Sequence, residues 1–162
     1  MGSGKTAVAK VLAAQLKLDM FDLDEFIAAR IGRTPAQIIV EDGERAFRAI
    51  ETDALTNLFE TARSSVISLG GGAWIEEPNR QLINKSNCLT IWLDTSFDEC
   101  WKRIQSSSED RPLGKTEQQA YELFERRRPI YQLAAIHLEV RPGETATEIA
   151  ERIHEKLTGR ST

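Results

Sequence analysis

The chain has 162 residues, 41% of them hydrophobic, which suits one globular domain able to bury a sizeable core. Its net charge is −4, with acids and bases mixed along the length, so it lacks the basic footprint that nucleic-acid binding requires. Cys88 and Cys100 have neither metal-ligand spacing nor disulfide density and read as reduced packing residues, and no run is long and apolar enough to span a bilayer.

The chain opens on "MGSGKT", the back half of the phosphate-loop pattern G-x-x-x-x-G-K-[ST]. Counting back from Gly4, the first glycine of that pattern falls two positions before Met1, so the expectation is a strand-and-loop unit whose beginning lies outside this chain. Lys5 to Leu16 carries apolar residues at Val8, Val11, Leu12 and Leu16, an amphipathic helix starting on the GKT. "LDMFDLD" reads as a buried strand ending in Asp22 and Asp24. Helical patterns follow over about 24–31 and 34–41, then a break at Gly43 and a longer helix over 44–62. "SSVISL" is a strand stopping at Gly70-Gly71-Gly72, and a short helix around 78–84 precedes "CLTIWLD", a strand ending in Asp94. Asp94-Thr95-Ser96 reads as a strand end and helix cap, with the helix over roughly 96–105. The polar stretch "SSSEDRPLGKT" is the one mobile-loop candidate. Helix returns over 118–133, "IHLEV" is a strand, and 146–157 is a closing helix.

Strands separated by helices imply parallel pairing with covering helices, a three-layer α/β domain. In such a sheet the ligand sits at the carboxyl ends of the strands, where Asp22, Asp24, the three glycines and Asp94 lie. Each alone has an ordinary reading. Asp24 before a helix can be an N-cap, and three glycines can be a tight turn. The loop remnant has a firmer basis: N–H groups from Gly2 to Thr6 at a helix N-terminus form a nest for phosphate oxygens. Lys5 adds a point charge on the β/γ oxygens, and the Thr6 hydroxyl is a Mg²⁺ ligand. Arg48 on a mixed helix and the run Arg126-Arg127-Arg128 can equally be solvated surface. His137 and His154 show no partner pattern, and Trp74, Trp92 and Trp101 read as core.

Taken together, "MGSGKT", "DLDEFI", "GERAFRAIE", "LGGGAW", "RPL" and "RRRPIY" resemble shikimate kinase in order and spacing, from Met1 to about Val140 and on into the last helix. The resemblance implies a P-loop kinase fold, a parallel sheet with helices on both faces and a mobile lid, here over about 106–117. It implies transfer of the ATP γ-phosphoryl group to the 3-hydroxyl of shikimate, on the route to chorismate and aromatic amino acids. It places ATP on Gly2, Ser3, Gly4, Lys5, Thr6 and Ala7, with Arg103 against adenine and Arg111 as the lid arginine over the transferring phosphate. Thr6 and Asp22 become the Mg²⁺ side. Asp24 orients and deprotonates the attacking hydroxyl. Arg48 and Arg127 clamp the shikimate carboxylate, and Gly70, Gly71 and Gly72 line the ring, within a substrate-binding region of about 24–51.

Three departures accompany the resemblance. Ile39 stands where the family usually has an aromatic residue. The interval from Arg111 to Arg127 is short for the lid. The family's first strand, central in its sheet, has no counterpart in this chain, so two strand edges and an apolar groove are expected to be exposed and activity to be weak or absent. The expectations are therefore a single-domain, monomeric, cytoplasmic enzyme (stromal if from a plant) acting on small molecules, with no nucleic-acid or membrane partner. Gluconate kinase is the enzymatic alternative, and a non-catalytic nucleotide-binding module the other.

Overall fold

The computed structural model describes residues 2–106 and 116–159. Helix α1 (Lys5–Leu16) starts on Gly4, whose φ of 86° lies in the left-handed region that a glycine adopts without strain. Strand β1 (Asp19–Asp22) is followed directly by α2 (Leu23–Ile31), so Asp24 lies inside the first turn of the helix. The expected cap at Asp24 is therefore corrected: Asp22 is the N-cap, accepting from the Asp24 and Glu25 amides at 3.0 and 3.4 Å. Then come α3 (Pro35–Asp42), capped by Thr34, and α4 (Glu44–Thr61), entered through Gly43. Strand β2 (Ser65–Ser68) runs into the glycines and a 3₁₀ turn over Ala73–Ile75 that the sequence pattern did not announce. The remaining elements are α5 (Glu77–Lys85), β3 (Ile91–Asp94), α6 (Phe97–Gln105), α7 (Glu117–Tyr131), β4 (Ile136–Glu139) and α8 (Ala146–Thr158).

The strands pair in parallel, as the alternation of strands and helices requires, but in two separate sheets. β1 pairs with β2, placing Asp22 opposite Ser68, and β3 pairs with β4, placing Asp94 opposite Glu139. Among the described residues no strand lies between β2 and β3. Their facing sides line a cavity of about 1020 Å³, walled by Val66 and Ile67 of β2, Ile91 and Leu93 of β3, and Val8 and Leu12 of α1. This is the apolar groove expected where the family has a central strand.

Each sheet carries its own core. Leu23, Ile27, Ile38, Phe47, Leu55 and Leu58 anchor one cluster against β1 and β2. Val8, Leu12, Leu93, Leu138, Ile149 and Ile153 make the other, with α1 packed on α8 over β3 and β4. Helix α1 also touches β1 and β2, so it joins the two halves. Trp74 is buried in the first core, and Cys100 is buried, but Cys88 is exposed and is not the packing residue expected. No helix among the described residues is long and apolar enough to cross a membrane.

Candidate active site

The carboxyl ends of β1 and β2 and the start of α1 bring short polar groups together. Thr6 Oγ1 donates to Asp22 Oδ2 at 2.7 Å, and the Ser68 hydroxyl lies 3.4 Å from Thr6 Oγ1. Ser68 is buried. It was not singled out in the sequence, where a serine inside a strand pattern carries no signal of its own. Its register opposite Asp22 puts it here. Residues Gly2 to Thr6 are half-buried, and the segment is held from outside: the Thr95 hydroxyl donates to the Ser3 carbonyl and Arg103 Nη1 to the Gly2 carbonyl, each at 3.4 Å. A Cβ on Gly2 would come 2.5 Å from the Cys100 carbonyl oxygen, so this residue is pressed against α6. Ala7 is exposed, one residue into the helix beyond Thr6. Successive amides at a helix N-terminus beside Lys5 are suited to an anion without a further side chain.

A second group of charges gathers on the other side of Asp22. Helix α4 carries Arg48, whose Nη1 donates to Glu51 Oε2 and whose Nη2 donates to Glu44 Oε1, each at 2.9 Å. The Arg48 guanidinium also lies 5.2 Å from the centroid of the Phe47 ring. Glu51 has no exposure to solvent. Burial pushes its carboxyl up to about 7, against the pull of Arg48, and the charges of Asp24 and Glu76 push the same way. Burial also works against the charge on Arg48, but Glu51 and Glu44 outweigh it and the pKa is raised. Two buried atoms here, Arg48 Nε and Glu51 Oε1, have no hydrogen-bond partner. A guanidinium with a donor left over at this place is suited to a polar, anionic ligand.

The glycine turn lies against both groups. Gly70 abuts the Asp24 carboxylate and Gly72 abuts the Arg48 guanidinium. Tyr131 at the end of α7 donates to the Gly71 carbonyl at 2.6 Å, and Trp74 Nε1 donates to the Ile130 carbonyl at 2.9 Å. Burial raises the pKa of the Tyr131 hydroxyl, while the charges of Arg127 and Arg48 both act to lower it. Arg127 itself is buried, one helical turn before Tyr131 on the same face. The basic run is thus not a uniformly solvated face: Arg126 is exposed, Arg127 is buried, and Arg128 pairs with Asp94 at 3.1 Å. His137, which showed no partner pattern, also has partners. Its Nε2 lies 2.8 Å from Asp94 Oδ2, and its ring stacks on Trp92 at 4.4 Å. Asp94 is therefore more than a strand end.

Asn79, fully buried, donates to the Ala73 carbonyl and accepts from Thr52, tying α4 to the glycine turn. Arg80 caps the same turn through the Trp74 and Ile75 carbonyls. Neither was predicted, because the 3₁₀ turn that turns its carbonyls back toward α5 carries no pattern of its own in the sequence. Arg111 and most of the expected lid over 106–117 lie outside the described residues.

These residues stand in a chain whose likeness to known proteins is extensive. The profile of the shikimate kinase family matches residues 1–158. A shikimate kinase of Streptococcus gordonii is 38% identical over 156 residues, covering 94% of this chain and 93% of the relative. One from Cereibacter sphaeroides is 36% identical, covering 99% and 80%. Among solved structures, shikimate kinase from Acinetobacter baumannii in complex with shikimate superposes with a TM-score of 0.90 at 30% identity, covering 99% of this chain and 90% of that one. Shikimate kinase from Aquifex aeolicus gives 0.83 at 32% identity, covering 98% and 92%. With the parallel strands and the helix that starts on Gly4-Lys5-Thr6, these likenesses make the chain a member of the shikimate kinase family.

Proposed function

We propose that this chain transfers the γ-phosphoryl group of ATP to the 3-hydroxyl of shikimate, giving ADP and shikimate 3-phosphate. The observation that carries this reading is the meeting of Asp24 and Arg48 on one glycine turn, beside the Thr6–Asp22 pair at the head of α1. Phosphoryl transfer is mostly positioning and charge stabilisation, and this arrangement supplies both. Amides of Gly2 to Ala7 and the Lys5 ammonium hold the β- and γ-phosphates. Arg103 packs against the adenine side, and Arg111 adds charge over the transferring group. Arg48 and Arg127 grip the substrate carboxylate, and Gly70 to Gly72 lie along its ring. Asp24 orients the attacking hydroxyl and takes its proton as the new O–P bond forms and the bond to the β-phosphate oxygen breaks.

The oxygen donors Thr6 Oγ1, Asp22 and Ser68 Oγ fit Mg²⁺, which binds through a hydroxyl and one or two carboxylates and keeps several waters. No cluster of three or more acidic, histidine or cysteine ligands is present among the described residues, which also suits that mode. When bound, Mg²⁺ supplies positive charge at the phosphate oxygens. We read the chain as one domain with its substrate region at about 24–51, working as a cytoplasmic monomer on small molecules. The test is ADP release from Mg-ATP with shikimate, with gluconate and with neither. Release dependent on shikimate alone is expected, at a low rate in view of the groove between β2 and β3. Gluconate-dependent release, or ATP binding with no turnover, would replace this reading.

A further inference from the structure

Gly72 has φ −96° and ψ −25°, a right-handed helical conformation open to any residue. Its backbone therefore does not call for glycine. Its surroundings do: a Cβ built there would overlap Nη1, Nη2 and Cζ of Arg48. At Gly70 a Cβ would stand 2.8 Å from Asp24 Oδ1 and 3.2 Å from Oδ2, inside the range that real Cβ contacts avoid. We propose that Gly72 and Gly70 are positioning residues, whose missing side chains leave the recesses that fix Arg48 and Asp24 for the reaction. This rests on the shikimate kinase reading above, but the recesses themselves are a property of the ligand-free fold.

Two features make the recesses exact enough to position a side chain. The wall cannot retreat. Tyr131 bonds the Gly71 carbonyl, buried Asn79 the Ala73 carbonyl, and Arg80 the carbonyls of Trp74 and Ile75. The side chain in the recess is held from behind as well: Arg48 is clamped by Glu51 and Glu44 and is only 14% exposed. A methyl group at 72 would therefore meet the far end of a long side chain and push the guanidinium off Glu51. The buried Glu51 carboxyl then loses its partner, so some stability is lost together with the placement of Arg48.

The experiment uses the full chain. Gly72→Ala is expected to raise KM for shikimate about tenfold or more, the scale of one charge-assisted contact, with KM for ATP unchanged. In an Arg48→Lys background the same change should add less than about twofold, because coupled residues are not additive. Gly70→Ala should lower kcat about tenfold, and add little to Asp24→Asn. A crystal structure of Gly72→Ala without ligand provides the second arm: the Arg48 guanidinium should leave Glu51 while Tyr131 stays on Gly71. Arg48 still on Glu51 in that structure, or an effect of Gly72→Ala that adds in full to Arg48→Lys, overturns the proposal. If the unsubstituted chain phosphorylates no shikimate, the functional reading fails, and the crystal structure alone decides this inference.

Discussion

Beside β1 and β2 the candidate substrate site is made of charged side chains held by other side chains, whereas at the head of α1 the candidate phosphate site is made mainly of main chain. Arg48 depends on Glu51 and Glu44, and the turn beneath it depends on Asn79, Arg80 and Tyr131. The loop from Gly2 to Thr6 presents amides, one lysine and one hydroxyl, with its carbonyls steadied by Thr95 and Arg103. The difference follows from the ligands each site suits. A phosphate accepts from any amide that points at it, so backbone suffices. A planar carboxylate on a specific ring needs guanidinium forks at fixed places, and fixing them requires buried partners whose charge is costly to desolvate.

The comparison is tested first where the largest effect is expected. Asp24→Asn removes the acceptor for the attacking hydroxyl and should lower kcat by roughly 10²- to 10⁴-fold, with little change in ATP affinity. A loss under tenfold would mean that the proton leaves by another route. Lys5→Met on the main-chain side should reduce kcat by about 10²- to 10³-fold, the cost of one charge-stabilising donor. Next, Arg127→Ala should raise KM for shikimate by about 10- to 100-fold, the range for charged hydrogen bonds, while leaving KM for ATP alone. Equal effects on both substrates would blur the division between the two sites.

The smaller tests concern stability. Asn79→Ala takes the side-chain donor from the Ala73 carbonyl in a buried place, while Thr52 keeps its bond to the Arg48 carbonyl, for a loss of about 1–3 kcal/mol in chemical denaturation. Glu51 gives a pH dependence with a definite sign. Its carboxyl is raised from 4.5 to about 7 in the fold, so the folded chain holds a proton there that the unfolded chain has released. That contribution is fully present below pH 4.5 and is lost as pH rises through about 7. The melting temperature of Glu51→Gln should therefore rise relative to that of the parent between those values and run parallel to it above them. A variant that falls relative to the parent over that range would show that Arg48 governs this carboxyl more than burial does.

Much of this division was legible in the sequence. The helix starting on GKT, the strand ends at Asp22, Ser68 and Asp94, and the long helix through Arg48 all occupy the expected stretches, because apolar periodicity and glycine breaks are local signals. Strand edges came out shorter than the apolar runs, since pairing and not composition ends a strand. "CLTIWLD" yields only Ile91–Asp94. The candidate site residues could be named only jointly, through the motif set. The supporting shell was not legible at all: Asn79, Ser68 and Tyr131 acquire their meaning from contacts across 6 to 62 positions of sequence. His137 and Asp94 meet because β3 and β4 pair, a register that no single strand encodes.

Cys100 lies buried behind Gly2, with the raised thiol pKa that burial imposes, while Cys88 stands at the surface. The chain therefore carries a built-in clock. An alkylating reagent in excess marks Cys88 first and Cys100, which is 4% exposed on the wall of the groove, more slowly. The lag between the two labels reads how closely the segment around Gly2 is held on α6, and its lengthening with added nucleotide would report a tightening of that contact.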